Sequence, residues 1–421
     1  MGIVVNDVPI VAPEPARRSR FSVTKLAAIG DQIVVSLTNF ALTLAIGRAY
    51  SAEEFAAFGI GLSIGLMVQG LQRHTVTIPL TLQPDSRVAR RHRAILAEQY
   101  IVLLAVLVTG LLVAGGTFFV SMPRYGHLIV LASVVSLVVY LQLEFSRAFL
   151  IKTGRAGFLL LSAAWYGIVS LGLAGAALLH LIDYETLLLI LGGAMVLHAI
   201  ALMATAGTPA WSRGKHLLRH DLLRYGGWSA AATLTYSGYN HLPLLLLGAM
   251  AAPIHAAVFV ATRSLMQPLQ IIMRGLDIAD KSVFAKVARQ PDTRDTLVFT
   301  LNCAAFYAVI SLVYCVTAGL FANQLVAFAY GSKFAGVGGA LLAWLPVYVL
   351  MGMAMPLESL VYARRDFRNY FQIRGLASVL AVTLSVPLSI YYFETGAIAA
   401  CAAGWMLAVG GTIIRLVRNT K

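Results

Sequence analysis

Apolar windows of about twenty residues recur twelve times along the 421-residue chain, near 26–47, 55–82, 95–120, 127–150, 156–180, 185–206, 222–248, 254–280, 296–320, 337–362, 370–392 and 396–416. About 20 apolar residues in a helix span the roughly 30 Å hydrocarbon core of a bilayer, where every backbone polar group must be bonded within the protein. The windows predict an all-α polytopic membrane protein of about twelve transmembrane helices. Composition agrees: 59% of residues are apolar and 12% charged, against about half and about a quarter in soluble domains. Such a chain cannot coat a water-soluble body. The connections are too short for a catalytic domain, so no enzyme is expected.

The basic residues set the orientation. Of 32 Lys and Arg, 27 fall in alternate connections: the tail through Lys25, then Arg87–Arg93, Arg147–Arg155, Arg213–Arg224, Arg274–Arg294, Arg364–Arg374 and Arg415–Lys421. Arg48, Arg124 and Lys333 alone occupy the other connections. That alternation predicts an even number of spans with both termini cytoplasmic. The formal net charge of +14 then faces anionic lipid, and nucleic-acid binding is not needed to explain it. Residues 1–25 read as a cytoplasmic tail, with Pro9, Pro13 and Pro15 before Arg17, Arg18 and Arg20. The apolar run that follows is too long for a cleavable signal.

Cys303, Cys315 and Cys401 all sit in apolar runs, and Cys303 and Cys315 share one predicted helix, so no disulfide or metal framework follows. The phosphate-loop pattern is absent; Gly207 to Lys215 has the wrong spacing. No cofactor is expected.

The chain also repeats itself. At an offset of 201 residues Ser36 pairs with Ser237, Asn39 with Asn240, Leu44 with Leu245, Gly47 with Gly248, Ala56 with Ala257, Phe58 with Phe259, Ser63 with Ser264, Gln69 with Gln270 and Arg73 with Arg274. An offset of six spans keeps both halves in one orientation, related by a pseudo-two-fold axis along the membrane normal. The predicted organisation is a six-helix lobe at 26–206, a cytoplasmic linker at 207–221 and a second six-helix lobe at 222–421. Two bundles rocking about a central cleft suit a transporter that works by alternating access.

Polar groups inside hydrocarbon are costly, about 2.5–3.5 kcal/mol for an Arg at a helix centre, and so mark sites or helix contacts. Arg263 stands nine residues beyond Ile254, about 14 Å along the helix and near the midplane; it reads as a cation in the cleft or as half of a structural ion pair. Arg73 and Arg274 fall at the cytoplasmic mouth, where they meet substrate or snorkel to headgroups. Arg274 precedes Asp277 by three residues, and Glu144 precedes Arg147 by three, so each couple is expected to pair along its own helix. Asp31 lacks a partner nearby in sequence and is the candidate for coupling to a proton or cation; a basic residue of another helix is the alternative. Glu358 lies near Arg364 and Arg365 and reads as interfacial. Asn39, Asn240 and the adjacent His241 could bind sugar hydroxyls or join helices. Gly61 and Gly65 have the spacing of close helix packing, and prolines 79, 243, 268, 346, 356 and 387 are expected to bend spans.

The stretch GDQIVVSLTNFALTLAIGRAYSAEEFAAFGI at 30–60 resembles the opening of bacterial polysaccharide and oligosaccharide flippases of the multidrug/oligosaccharidyl-lipid/polysaccharide (MOP) superfamily. Ser36, Asn39, Phe40, Gly47, Arg48, Phe55 and Gly59 carry the likeness, although Gly47 and Tyr50-Ser51 depart from the family's Ala and Leu-Gly. Gly70-Leu71 with Arg73, and Trp228 to Phe259, fit its later helices. The resemblance implies a V of two lobes in a bacterial inner membrane and a cationic cavity in which Arg263 meets the diphosphate of an undecaprenyl-linked oligosaccharide. It implies lipid-linked substrate and membrane lipids as partners, with a polysaccharide polymerase and export machinery beside them. The expected function is flipping repeat units for exopolysaccharide synthesis. A cation-coupled multidrug exporter of the same fold and a membrane-embedded polymerase are the rivals.

Overall fold

The computed structural model describes residues 18–419 apart from 83–84, 120–122, 225, 288–293 and 365. The tail through Arg17 lies outside the described residues. The first lobe holds α1 (Arg18–Ala49), α2 (Ala52–Gln72), a π-helical turn (Arg73–Thr77), α3 (Ile78–Leu82), α4 (Asp85–Phe119), α5 (Arg124–Lys152), α6 (Ala156–Leu178) and α7 (Tyr184–Ala206). After α8 (Trp211–Arg224), the second lobe runs through α9 (Gly226–Asn240), α10 (Leu242–Met250), α11 (Pro253–Leu265), α12 (Gln267–Val287), α13 (Arg294–Leu320) and α14 (Ala322–Tyr330). A 3-10 turn (Gly331–Phe334) leads to α15 (Gly338–Ala343), α16 (Leu345–Arg364) and α17 (Phe367–Asn419).

Among the described residues nine helices are long and apolar enough to cross a bilayer. One of them, α17, holds two spans: Phe393 leaves the helical region with φ 50° and ψ −127°, and the chain doubles back. The bent pair α11 with α12 is long and apolar enough for a further span, and α9 with α10 occupy the remaining expected window. The twelve-helix expectation is met. Leu161, Ile168, Leu181 and Phe328 are largely exposed, the surface that a bilayer covers and water would not tolerate.

Proline explains where spans break. Pro243 and Pro268 are the second residues of α10 and α12, and neither offers the N–H that a continuous helix needs. Helices α11 and α12 meet at 44°. The hydroxyls of Tyr348 and Tyr314 donate to the carbonyls of Arg263 (3.3 Å) and Leu265 (2.9 Å) at this bend, so the break leaves its polar backbone bonded inside the protein. In the first lobe Pro79 follows the π turn, where the Ile78 N–H bonds the Arg73 carbonyl five residues back.

The two lobes meet tightly at the end away from the basic connections, here called the far end. The repeat-related glycines each face the opposite lobe: a Cβ on Gly47 would lie 2.6 Å from the Tyr330 ring, and one on Gly248 would strike Ile60. Gly59 likewise lies against Val260. Phe55 packs on Tyr330 and Phe334 with ring centroids 5.7 and 6.1 Å apart. Two cations cross the seam in opposite directions. Lys333 Nζ donates to the carbonyls of Gly47 (3.0 Å), Arg48 (3.3 Å) and Tyr50, while Arg48 Nη1 donates to the Phe328 carbonyl at 3.0 Å. Each covers carbonyls at the C-terminal end of the other lobe's helix, where the partial charge is negative.

The segment expected as a linker contains α8, a basic amphipathic helix packed on α4. Its length is below that of a span, so an apolar window could not reveal it.

An arginine-rich cleft between the lobes

Toward the basic end arginines from both lobes gather along the seam, where a Cβ on Gly70 would lie 2.6 Å from Thr233 of the other lobe. Arg73 begins the π turn of the first lobe, and its side chain is 50% exposed although Glu144 beneath it is buried. The pair is bidentate: Arg73 Nε donates to Oε1 at 2.7 Å and Nη2 to Oε2 at 2.9 Å. Gln69, one turn earlier, also donates to Glu144 Oε2 at 3.3 Å. The expected bridge between Glu144 and Arg147 does not form. Arg147 Nε instead donates to Asp31 on α1, whose side chain is 5% exposed. Both residues of α5 are held by other helices, which satisfies two carboxylates rather than one. Asp31 thus has its basic partner from another helix.

The second lobe is charged differently. Arg274 lies on α12, exposed, and forms no ion pair with any described residue. Its expected partner Asp277 accepts from the Ser359 hydroxyl at 2.8 Å instead. Arg263, in the last turn of α11 just before the bend, is half-buried and likewise pairs with no described carboxylate; its Cζ lies 5.9 Å from the centroid of the Trp344 ring. Arg374, counted in the sequence as part of a connection, is buried inside α17. It donates to Glu358 and lies over Tyr236 and Tyr370 at 5.0 and 4.2 Å. Glu358, expected near Arg364 and Arg365, is held by Arg374 and keeps its side chain 26% exposed.

Tyr236 on α9 is the common neighbour of these cations. Arg73 from one lobe and Arg263, Arg274 and Arg374 from the other all lie within electrostatic reach of its phenol. Arg274 also lies within electrostatic reach of Arg73, Arg147 and Glu144 of the first lobe. Five arginines and three carboxylates (Asp31, Glu144 and Glu358) therefore share this region. These three acids are each paired, and among the described residues the guanidinium groups of Arg263 and Arg274 have no carboxylate partner. Their position was legible from hydropathy; their partners were not, and Tyr236 gave no signal beyond its place next to the repeated Ser237.

Of the remaining expected site residues, Asn39 lies elsewhere and Asn240 and His241 adjoin the arginines. Asn39 accepts from Tyr166 within the first lobe and lines a small cavity there with Thr43, Ser136 and Tyr140. Asn240 is buried and donates to Tyr236 Oη at 3.2 Å. His241 occupies the break between α9 and α10, buried, with its Nε2 3.4 Å from Asn240. Asn39 bonds inside the first lobe, away from the arginines, whereas Asn240, with His241 beside it, is joined to them through Tyr236.

No protein-family model matches the sequence, and no curated protein does. Solved structures do. An inward-facing multidrug resistance MATE family transporter of the MOP superfamily matches with a TM-score of 0.67 at 14% identity, over 94% of this chain and 97% of that one. The lipid II flippase MurJ in an inward closed conformation matches with 0.68 at 10% identity, over 95% and 89%. The chain has the fold of MOP transporters. An outward-facing MATE structure matches with a TM-score of 0.59 at 14% identity over 96% of both chains.

Proposed function

We propose that this protein is a flippase of a bacterial inner membrane. On this reading it carries undecaprenyl-diphosphate-linked oligosaccharide units from the cytoplasmic to the periplasmic leaflet for exopolysaccharide synthesis. The basic end is then cytoplasmic, as the positive-inside rule requires. The observation that carries the reading is that, among the described residues, Arg263 and Arg274 have no carboxylate partner, while Asp31, Glu144 and Glu358 beside them are already paired. A planar guanidinium binds phosphate oxygens by two parallel hydrogen bonds, so this excess selects an anionic guest. Arg73, held by Glu144, supplies field rather than a free fork. Asp31 is the coupling group of the proposal: its neutralisation would release Arg147 into the same cluster.

The test is translocation by reconstituted protein, with a fluorescent lipid diphosphate oligosaccharide as cargo. Arg263→Ala and Arg274→Ala are expected to lose transport while still folding; undiminished flipping in both would overturn the reading. A second reading, cation-coupled drug export, is favoured by the likeness to a multidrug MATE transporter and by the acids Asp31 and Glu144 in the first lobe. It predicts that a lipophilic cation is exported and that Asp31→Asn, rather than the arginine variants, abolishes export.

A further inference from the structure

Helix α8 connects the lobes on the basic side, and its residues divide cleanly between two faces. Gly214 is buried against α4; a Cβ there would lie 2.5 Å from Ala97 Cβ. Leu217 and Leu218 pack beside it. At 100° per residue the opposite face carries Lys215, His216 and Arg219, with Trp211 and Arg213 along its edges. All five are exposed, Trp211 by 50%. Residues 211–220 contain no acid, and none of these five side chains meets a described partner.

The depth of the helix decides what its face can meet. Ala97 lies four residues beyond Arg93, the last of the basic run that opens the candidate span of α4, about 6 Å along the helix. Arg93 fixes the same level from the other side, donating to the Thr208 carbonyl at 2.7 Å and anchoring the strand of chain that enters α8. A helix held there lies among headgroups rather than in bulk water, with Arg90 and Arg91 of α4 exposed nearby. At that height the complementary charge is a lipid phosphate, and a half-exposed tryptophan is the side chain that suits the boundary.

We propose that α8 is a docking face for anionic phospholipid headgroups, with Arg213, Lys215, His216 and Arg219 resting on a negatively charged bilayer surface and Trp211 set among them. The test uses the full-length protein in phosphatidylcholine bilayers doped with either brominated phosphatidylglycerol or brominated phosphatidylcholine. The Trp211 signal is the part of the fluorescence that Trp211→Phe removes. Brominated phosphatidylglycerol is expected to quench it more than the zwitterionic lipid at equal bromine. The excess should vanish in the Arg213→Gln, Lys215→Gln, Arg219→Gln triple variant, whose elution and melting should match the parent. Equal quenching by the two lipids, or an excess that survives in the triple variant, would overturn the proposal. Quenching by neither, with Lys215 open to a water-soluble amine reagent, would overturn it as well and assign the face to a soluble acidic partner.

Discussion

Arg73 and Arg274 are repeat equivalents, yet Glu144 receives two hydrogen bonds from Arg73 and no carboxylate receives one from Arg274 among the described residues. The helices behind them show why. Gln69 reaches the Tyr140 carbonyl and Gln270 reaches the Tyr348 hydroxyl. Four residues beyond Tyr140 stands Glu144; four beyond Tyr348 stands Gly352, packed against Ser311 with no side chain to offer. One lobe neutralises its arginine and the other leaves it charged. Arg73→Ala should therefore act on stability, stranding a buried carboxylate at a cost of about 1–3 kcal/mol, reduced by the exposure of Arg73 itself. Arg274→Ala should leave the melting temperature of purified protein nearly unchanged and abolish transport. Similar losses of stability in both variants would contradict the asymmetry.

The far-end latch predicts a shift in conformational equilibrium. Lys333→Ala removes donors to three carbonyls, and Arg48→Ala removes one. At about 1 kcal/mol per lost bond, each variant should raise the far-side-open population about fivefold or more. Distances between spin labels placed across the seam would report it, and an unchanged distribution would show that the apolar packing alone closes this end.

Close packing inside the first lobe is equally testable. A Cβ on Gly61 would meet the Ala132 carbonyl carbon at 2.5 Å, and one on Gly65 would meet Ser136 Cβ at 2.9 Å. Backbone cannot swing aside as a side chain can. Gly61→Ala is expected to cost about 1–3 kcal/mol, measured by thermal unfolding in detergent, whereas Gly116→Ala, which has open space around it, should be silent.

Asp183 caps α7 from an exposed turn, accepting from the Thr186 N–H at 2.7 Å. That bond holds its carboxyl below the usual carboxylate range. A lowered value means that the cap is complete above the ordinary aspartate pKa and is lost as pH falls through the lowered one. Amide exchange at Thr186 should accelerate in that acid window. Asp183→Asn should keep the cap without the pH dependence, because an amide oxygen accepts equally well.

Spans were readable because each is a run of one chemistry, and local sequence carries that. Pro243 and Pro268 marked real breaks for the same reason, since a missing N–H acts on its own helix. Ion pairing could not be read in this way. Glu144 and Arg147 share a face of α5, but Arg73 and Asp31 approach from other helices with better geometry, and no short-range pattern encodes that approach. Helix α8 escaped for a third reason: its packed face needs only Gly214, Leu217 and Leu218, too few apolar residues to register in a window of about twenty.

The crossed contacts of Lys333 and Arg48 join ammonium and guanidinium groups to peptide oxygens and include no acid. No carboxylate therefore makes or breaks the hydrogen bonds of this clasp. In the proposed transport cycle, the far end would be released by movement of the helices that carry these groups.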